Sequence, residues 1–136
     1  MTAKKIALAL LLLAGAGAAS AETPKDFVAK YTAEAGPGFK PSAARGKEFF
    51  NKEFGVSQDM PSCTSCHTRD VNASGKHVIT GKVIEPLAPA VTADRFTTAK
   101  KVEKWFKRNC KEVLGRECTP AEKADFIQLA IEGGKA

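Results

Sequence analysis

Cys63 and Cys66, three positions apart and followed at once by His67, are the residues whose spacing points to definite chemistry. On one turn of helix, two thiols so placed reach the two vinyl groups of a porphyrin and form thioethers. The next residue is then delivered beneath the iron as an axial ligand. A Cys-x-x-Cys pair alone is ambiguous, because redox-active dithiols and zinc sites share it. The trailing histidine, in a chain that carries an export signal, selects covalent attachment of one haem c, with His67 as proximal ligand.

The export signal is read at the N-terminus. Lys4 and Lys5 precede an apolar run over residues 6–13, and Ala19-Ser20-Ala21 fits the small-x-small cleavage pattern. Cleavage is expected after Ala21, leaving residues 22–136 as one monohaem domain in the periplasm. An uncleaved anchor is the alternative, but the run is short and rich in Ala and Gly towards its end. No membrane association is expected after cleavage. Removing Lys4 and Lys5 with no acidic residue lowers the formal charge from +6 to +4. The lysines are scattered without interleaved aromatics, which excludes a nucleic-acid-binding reading. The lysine-rich run over residues 100–111 reads as a solvated helix face that can steer an acidic redox partner.

Four helices are expected to position the haem motif. Thr23-Pro24 opens the first, which runs to about Ala35, and Gly36-Pro37-Gly38 ends it. Ser42 caps a second over residues 43–54, with Gly46 and Phe50 one turn apart. Thr97 or Thr98 caps a third that passes Trp105 to about Val113. Thr119-Pro120-Ala121-Glu122 is a capping box opening a fourth through Ile131. Residues 70–94 read as loop, without a sheet. The fold class is therefore all-α, and a buried haem would add apolar surface to a core that is small for this length. A helical chain with the haem motif between its terminal helices resembles class I cytochrome c. In that family a Gly-x-x-x-Phe face packs across the C-terminal helix, as Gly46 and Phe50 would. Its proline-containing loop, here Pro86-Leu87, covers the proximal side, and a backbone carbonyl there accepts from the ligand histidine.

The sixth ligand separates an electron carrier from a gas-binding haem. Met60 lies three residues before Cys63, too closely tethered to reach the opposite face of a porphyrin, so Met/His ligation is disfavoured. His77, the other histidine, follows His67 through Asn72-Ala73-Ser74-Gly75 and is either a surface loop residue or a second axial imidazole. On the third helix Val102, Trp105, Phe106, Asn109 and Val113 share one face. An asparagine on that face needs a partner or loses about 1–3 kcal/mol to desolvation. A backbone hydrogen bond and the iron are the two candidates. Cys110 and Cys118 are expected to pair as a disulfide, since Cys63 and Cys66 are consumed by haem. A four-cysteine zinc site is the alternative use.

Several further motifs accompany the attachment site: Thr80-Gly81-Lys82, Pro86-Leu87-Ala88-Pro89, Arg95-Phe96-Thr97, Val102-Glu103-Lys104-Trp105 and Arg108-Asn109-Cys110. Gly115-Arg116-Glu117-Cys118-Thr119 and Glu122-Lys123-Ala124-Asp125 complete the set. Together they resemble the sphaeroides haem protein family of oxygen-binding monohaem cytochromes c. The resemblance implies His67 as proximal ligand, the Asn109 side chain as sixth ligand and a Cys110–Cys118 bridge. It also implies a dihaem cytochrome c as electron donor, and a diatomic ligand such as oxygen, nitric oxide or carbon monoxide. Lys82 and Arg95 are candidate propionate contacts. Pro86, Leu87, Phe96, Trp105 and Phe106 are candidate haem contacts. A plain electron carrier closed by His77 and a haem enzyme acting on nitric oxide and oxygen are the competing functions. A thiol–disulfide oxidoreductase using Cys63 and Cys66 is a further one, which the lack of alternating strand and helix disfavours.

Overall fold

Threonine starts two of the helices by the same device. The Thr23 hydroxyl accepts from the Asp26 amide, and the Asp26 carboxylate accepts from the Thr23 amide, opening α1 over Pro24–Ala35. Thr119 and Glu122 repeat the arrangement at the C-terminal helix, Pro120–Ile131. In both, proline fills the first turn, where no amide is needed. These bounds agree with the expectation from sequence. The computed structural model describes residues 20–136, so the expected export segment over residues 1–21 lies outside them except for its last two positions.

Two stretches depart from expectation. α2 covers Ala43–Asn51 and does not reach Phe54. Lys52 turns extended at φ −66°, ψ 134°, and the Phe54 amide bonds across the next turn to the Pro61 carbonyl at 2.8 Å. Between them the haem motif forms the expected turn of helix, α3, over Thr64–His67. Where loop alone was expected, β1 (Gly75–Lys76) pairs antiparallel with β2 (Val83–Ile84), a ladder too short for periodicity to register. α4 spans Ala99–Leu114 and α5 is the C-terminal helix Pro120–Ile131. The Thr98 hydroxyl makes no capping bond to α4; the Glu22 carboxylate accepts from the Ala99 amide instead, at 2.9 Å. An acidic cap there also suits the helix dipole.

α5 packs on both α1 and α2. Gly46 of α2 lets it approach: a Cβ there would lie 2.2 Å from the Asp125 carbonyl oxygen. The Asp125 side chain, 7% exposed, accepts from the Ser42 amide at 2.6 Å and from Arg45 Nε and Nη2 at 2.8 and 2.9 Å. One buried carboxylate thus ties the start of α2 to α5, with its charge paired and its lone pairs satisfied. Around this frame Phe27, Val28 and Tyr31 of α1 pack with Val102, Ala124 and Ile127. Phe50, Val71, Leu87, Ala88 and Leu129 form a second cluster beneath the haem motif.

Glu103 joins α4 to α1 and α5, accepting from Lys30 at 2.8 Å, Tyr31 at 2.7 Å and Lys123 at 3.3 Å. Burial raises the Glu103 pKa, but these three donors outweigh it and hold the carboxyl at about 2. The unfolded value is near 4.3. A folded-state pKa below the unfolded one means stability present above about pH 4.3 and lost as pH falls towards 2. Glu103→Gln should therefore flatten the acid limb of a stability-versus-pH curve between those values. Denaturant melts at stepped pH would show it, and an unaltered acid limb would contradict it.

Candidate functional site

The attachment turn is built before any ligand is considered. Amides of Cys66 and His67 donate to the Cys63 carbonyl at 3.4 and 3.2 Å, and the Thr68 amide to Thr64 at 3.1 Å. Buried Ser62 braces the start of the turn through its hydroxyl, 2.7 Å from Thr64 Oγ1. The chain leaves through Thr68 at φ 62°, ψ 179°, a region that residues with a Cβ rarely take. The Thr68 hydroxyl holds this corner by accepting from the Asp70 amide and donating to the Asp70 carbonyl, both at 3.2 Å. The two free thiols, Cys63 and Cys66, therefore sit on one turn with His67 directly after them.

Gly75 presses on this turn from β1. A Cβ on Gly75 would lie 2.0 Å from the Cys66 carbonyl oxygen and 2.9 Å from the His67 Cα. The sequence suggested a flexible linker there, and its role as a backing for the haem motif was missed. Only a glycine allows two backbones so close. From another direction the Val71 carbonyl accepts from the Leu87 and Ala88 amides, both at 2.9 Å, bringing buried Pro86 and Leu87 under the motif. No carbonyl of this loop bonds the His67 ring among the described hydrogen bonds. Arg95 takes two of them, Nε donating to Pro86 at 2.9 Å and Nη2 to Glu85 at 2.6 Å. The planar guanidinium fork fits two neighbouring carbonyls, so Arg95 holds the loop as well as being a candidate propionate contact.

Electrostatics suit ligation. Burial, then the charges of Arg95 and His77, bring the His67 pKa down to about 4, leaving a neutral imidazole able to bind a metal. Burial pushes the Cys63 thiol up to about 11. A dithiol oxidoreductase needs the opposite, a depressed thiol pKa, so that reading loses its nucleophile.

Cys110 and Cys118 are joined in a disulfide with Cα atoms 5.6 Å apart. With Val113 and Leu114 it forms a buried cluster against which Phe49, Phe54, Met60, Phe106 and Cys63 pack. Met60 is thus a packing residue beside the attachment turn. The paired cysteines are withdrawn from a four-cysteine zinc site, and no group of three metal-binding side chains occurs among the described residues. Asn109, next to Cys110, is half-buried, and its carboxamide makes no hydrogen bond among those described. His77 differs: its Nδ1 accepts from the Ile79 and Thr80 amides, both at 3.2 Å, organising the turn between β1 and β2.

The expected face of α4 is buried at Val102 and Val113 but open between them. Trp105 is 44% exposed, with Lys104 Nζ and Arg108 Cζ 5.1 and 5.6 Å from its ring centre. Lys82 is exposed, and its backbone closes the β1–β2 turn. Phe96 takes a left-handed backbone at φ 56° and lays its ring edge-on against Phe126. Two thiols on one turn, a neutral imidazole after them and an unpartnered carboxamide on a neighbouring helix fit an axially ligated, covalently held haem.

Comparison with known proteins agrees. Residues 37–129 match the family described as a domain of unknown function, DUF1924. The chain is 47% identical over 117 residues to the cytochrome c-type protein SHP of Cereibacter sphaeroides, covering 85% of this chain and 88% of that protein. The solved structure of oxidized SHP, an oxygen-binding cytochrome c, is 46% identical and superposes with a TM-score of 0.75, over 82% of this chain and 97% of that one. The solution structure of cytochrome c'' from Methylophilus methylotrophus, described as giving insight into haem-ligand detachment, is 40% identical with a TM-score of 0.69. That match covers 82% of this chain and 94% of that one. With its attachment turn, helical frame and likeness over most of its length, this chain belongs to the DUF1924 family and is a haem c-bearing cytochrome of the sphaeroides haem protein family.

Proposed function

We propose that this protein is a periplasmic cytochrome, exported and cleaved after Ala21, that binds a diatomic gas at a sixth haem position guarded by Asn109. The observation that carries the proposal is the contrast between two side chains. The Asn109 carboxamide makes no hydrogen bond among the described residues, while the His77 ring is engaged by two backbone amides of its own turn. No helix among the described residues is long and apolar enough to cross a membrane, which is compatible with a released protein. An SHP described as oxygen-binding and a cytochrome c'' studied for haem-ligand detachment are its relatives.

When bound, the haem supplies a redox iron with one exchangeable position. His67, a neutral imidazole, would hold it from the attachment side. Asn109 offers a carboxamide oxygen from α4, a hard donor that suits ferric iron better than ferrous. A carboxamide so weakly suited to ferrous iron would leave Asn109 free to withdraw, and its amide N–H would then donate to an incoming oxygen, nitric oxide or carbon monoxide. The Cys110–Cys118 bridge fixes the end of α4, so Asn109 moves by side-chain rotation. Electrons come from a redox partner, a dihaem cytochrome c by family resemblance. The exposed cations of α4 favour an acidic docking face on it.

Asn109→Ala tests the reading. Haem attachment should persist, while the ferric absorption spectrum shifts to that of an open or water-ligated iron. If the sixth position is open about a tenth of the time, removing the internal competitor raises apparent affinity for an added ferric ligand about tenfold. An unchanged ferric spectrum would refute ligation by Asn109. A reduced protein that ignores carbon monoxide would favour closure by His77.

A further inference from the structure

The aromatic core runs without a break from α1 to the ligand histidine. The Tyr31 and Phe106 rings meet edge-on at 5.9 Å between centres, Phe106 and Phe126 at 6.0 Å, and Phe126 and Phe50 at 5.5 Å. Phe50 then stands 6.3 Å from the His67 ring. Tyr31 is the only tyrosine of the chain and is 0% exposed. Its hydroxyl donates to Glu103 Oε1 at 2.7 Å, and Lys30 and Lys123 donate to the same carboxylate. Phenylalanine would fill the same ring volume. The hydroxyl adds a phenolic proton aimed at a carboxylate.

That pair has a redox use. Oxidising a buried phenol alone would leave a cation in an apolar core, at high cost. A carboxylate at hydrogen-bond distance lets the proton leave with the electron. A gas-binding cytochrome with one iron also meets an imbalance: the change from ferrous to ferric iron yields one electron, whereas hydrogen peroxide takes two. A single-electron encounter releases hydroxyl radical.

We propose that Tyr31 supplies the second electron when the reduced protein meets hydrogen peroxide, with Glu103 accepting the phenolic proton. The O–O bond breaks and two water molecules form, using two protons from solvent. Ferrous iron gives one electron and becomes ferric. Tyr31 gives the other and becomes a neutral phenoxyl radical as its O–H bond breaks, and Glu103 becomes a neutral acid. Atoms and charge balance across the step. The inference rests on the covalently held haem and on the exchangeable position of the proposed function, not on which residue guards it. Carbon monoxide binding to the reduced protein separates its failure from the failure of that reading.

Rapid freeze-quench electron paramagnetic resonance of the reduced holoprotein mixed with hydrogen peroxide tests it. A radical with tyrosyl hyperfine structure is expected, and its splitting should collapse in protein grown with ring-deuterated tyrosine. With one tyrosine in the chain, that collapse assigns the radical to Tyr31 without any variant. Tyr31→Phe should lose the signal and release more spin-trapped hydroxyl radical, and Glu103→Gln should lower the radical yield. No radical, a radical indifferent to tyrosine deuteration (as one on Trp105 would be), or a signal that survives in Tyr31→Phe would overturn the proposal.

Discussion

Gly75→Ala is expected to strip this protein of most of its correctly attached haem. The added Cβ would sit 2.0 Å from the Cys66 carbonyl oxygen and 2.9 Å from the His67 Cα. Both obstacles are backbone, so no side chain can rotate out of the way. Either β1 lifts off the attachment turn or the turn shifts with its two thiols and its histidine. Overpacking of this kind costs about 1–3 kcal/mol, occasionally more. The cost falls on the segment that must present Cys63, Cys66 and His67 together. The measurement is haem per polypeptide in purified protein, by pyridine haemochrome, with the absorption spectrum of whatever holoprotein forms. Full occupancy with an unaltered spectrum would show that β1 does not support the motif. Gly81→Ala is an informative companion: the nearest atom to its added Cβ is the flexible end of Lys76 at 3.7 Å, so its cost is conformational, from φ 69°.

Gly46→Ala should have the larger effect on global stability. In an exposed helix this exchange would gain roughly 0.5–1 kcal/mol from backbone entropy. Here the new Cβ meets the Asp125 carbonyl oxygen at 2.2 Å and the Leu129 Cβ at 3.2 Å, so α2 and α5 must move apart. Separation also stretches the bonds by which Asp125 holds the Ser42 amide and Arg45, leaving a buried carboxylate short of partners. A net loss of about 2 kcal/mol is expected, a large share of a typical domain's stability. Urea melts of the holoprotein would measure it. A midpoint equal to or above that of the parent would mean the helices have room that the geometry denies.

The two glycines show what is legible in a sequence and what is not. Gly46 is legible because the Gly-x-x-x-Phe spacing on a helix is a pattern in one dimension. Gly75 is not, because what it touches lies eight and nine residues earlier across a turn, and nothing local distinguishes it from a linker glycine. Asp125 and Glu103 stand in the sequence only as members of short motifs. Their roles come from partners 80 or more and 72 or more residues away in the cases of Arg45, Ser42, Tyr31 and Lys30. The end of α2 was overrun for the same reason: the Pro61 carbonyl draws off the Phe54 amide, and no local signal announces that.

Local chemistry in the sequence alone points to where haem would be attached and which imidazole would lie beneath it, and it determined where α1 and α5 begin. Thioether spacing, capping boxes and first-turn prolines act over a few residues, so their signals survive in one dimension. Tertiary structure alone decided that β1 backs the attachment turn, that Arg95 clamps the proximal loop, and that among the described residues the His77 ring accepts hydrogen bonds while the Asn109 carboxamide makes none. Each depends on which backbone groups of distant segments come within hydrogen-bond reach. That is settled only when the core closes and every buried amide and carbonyl must find a partner.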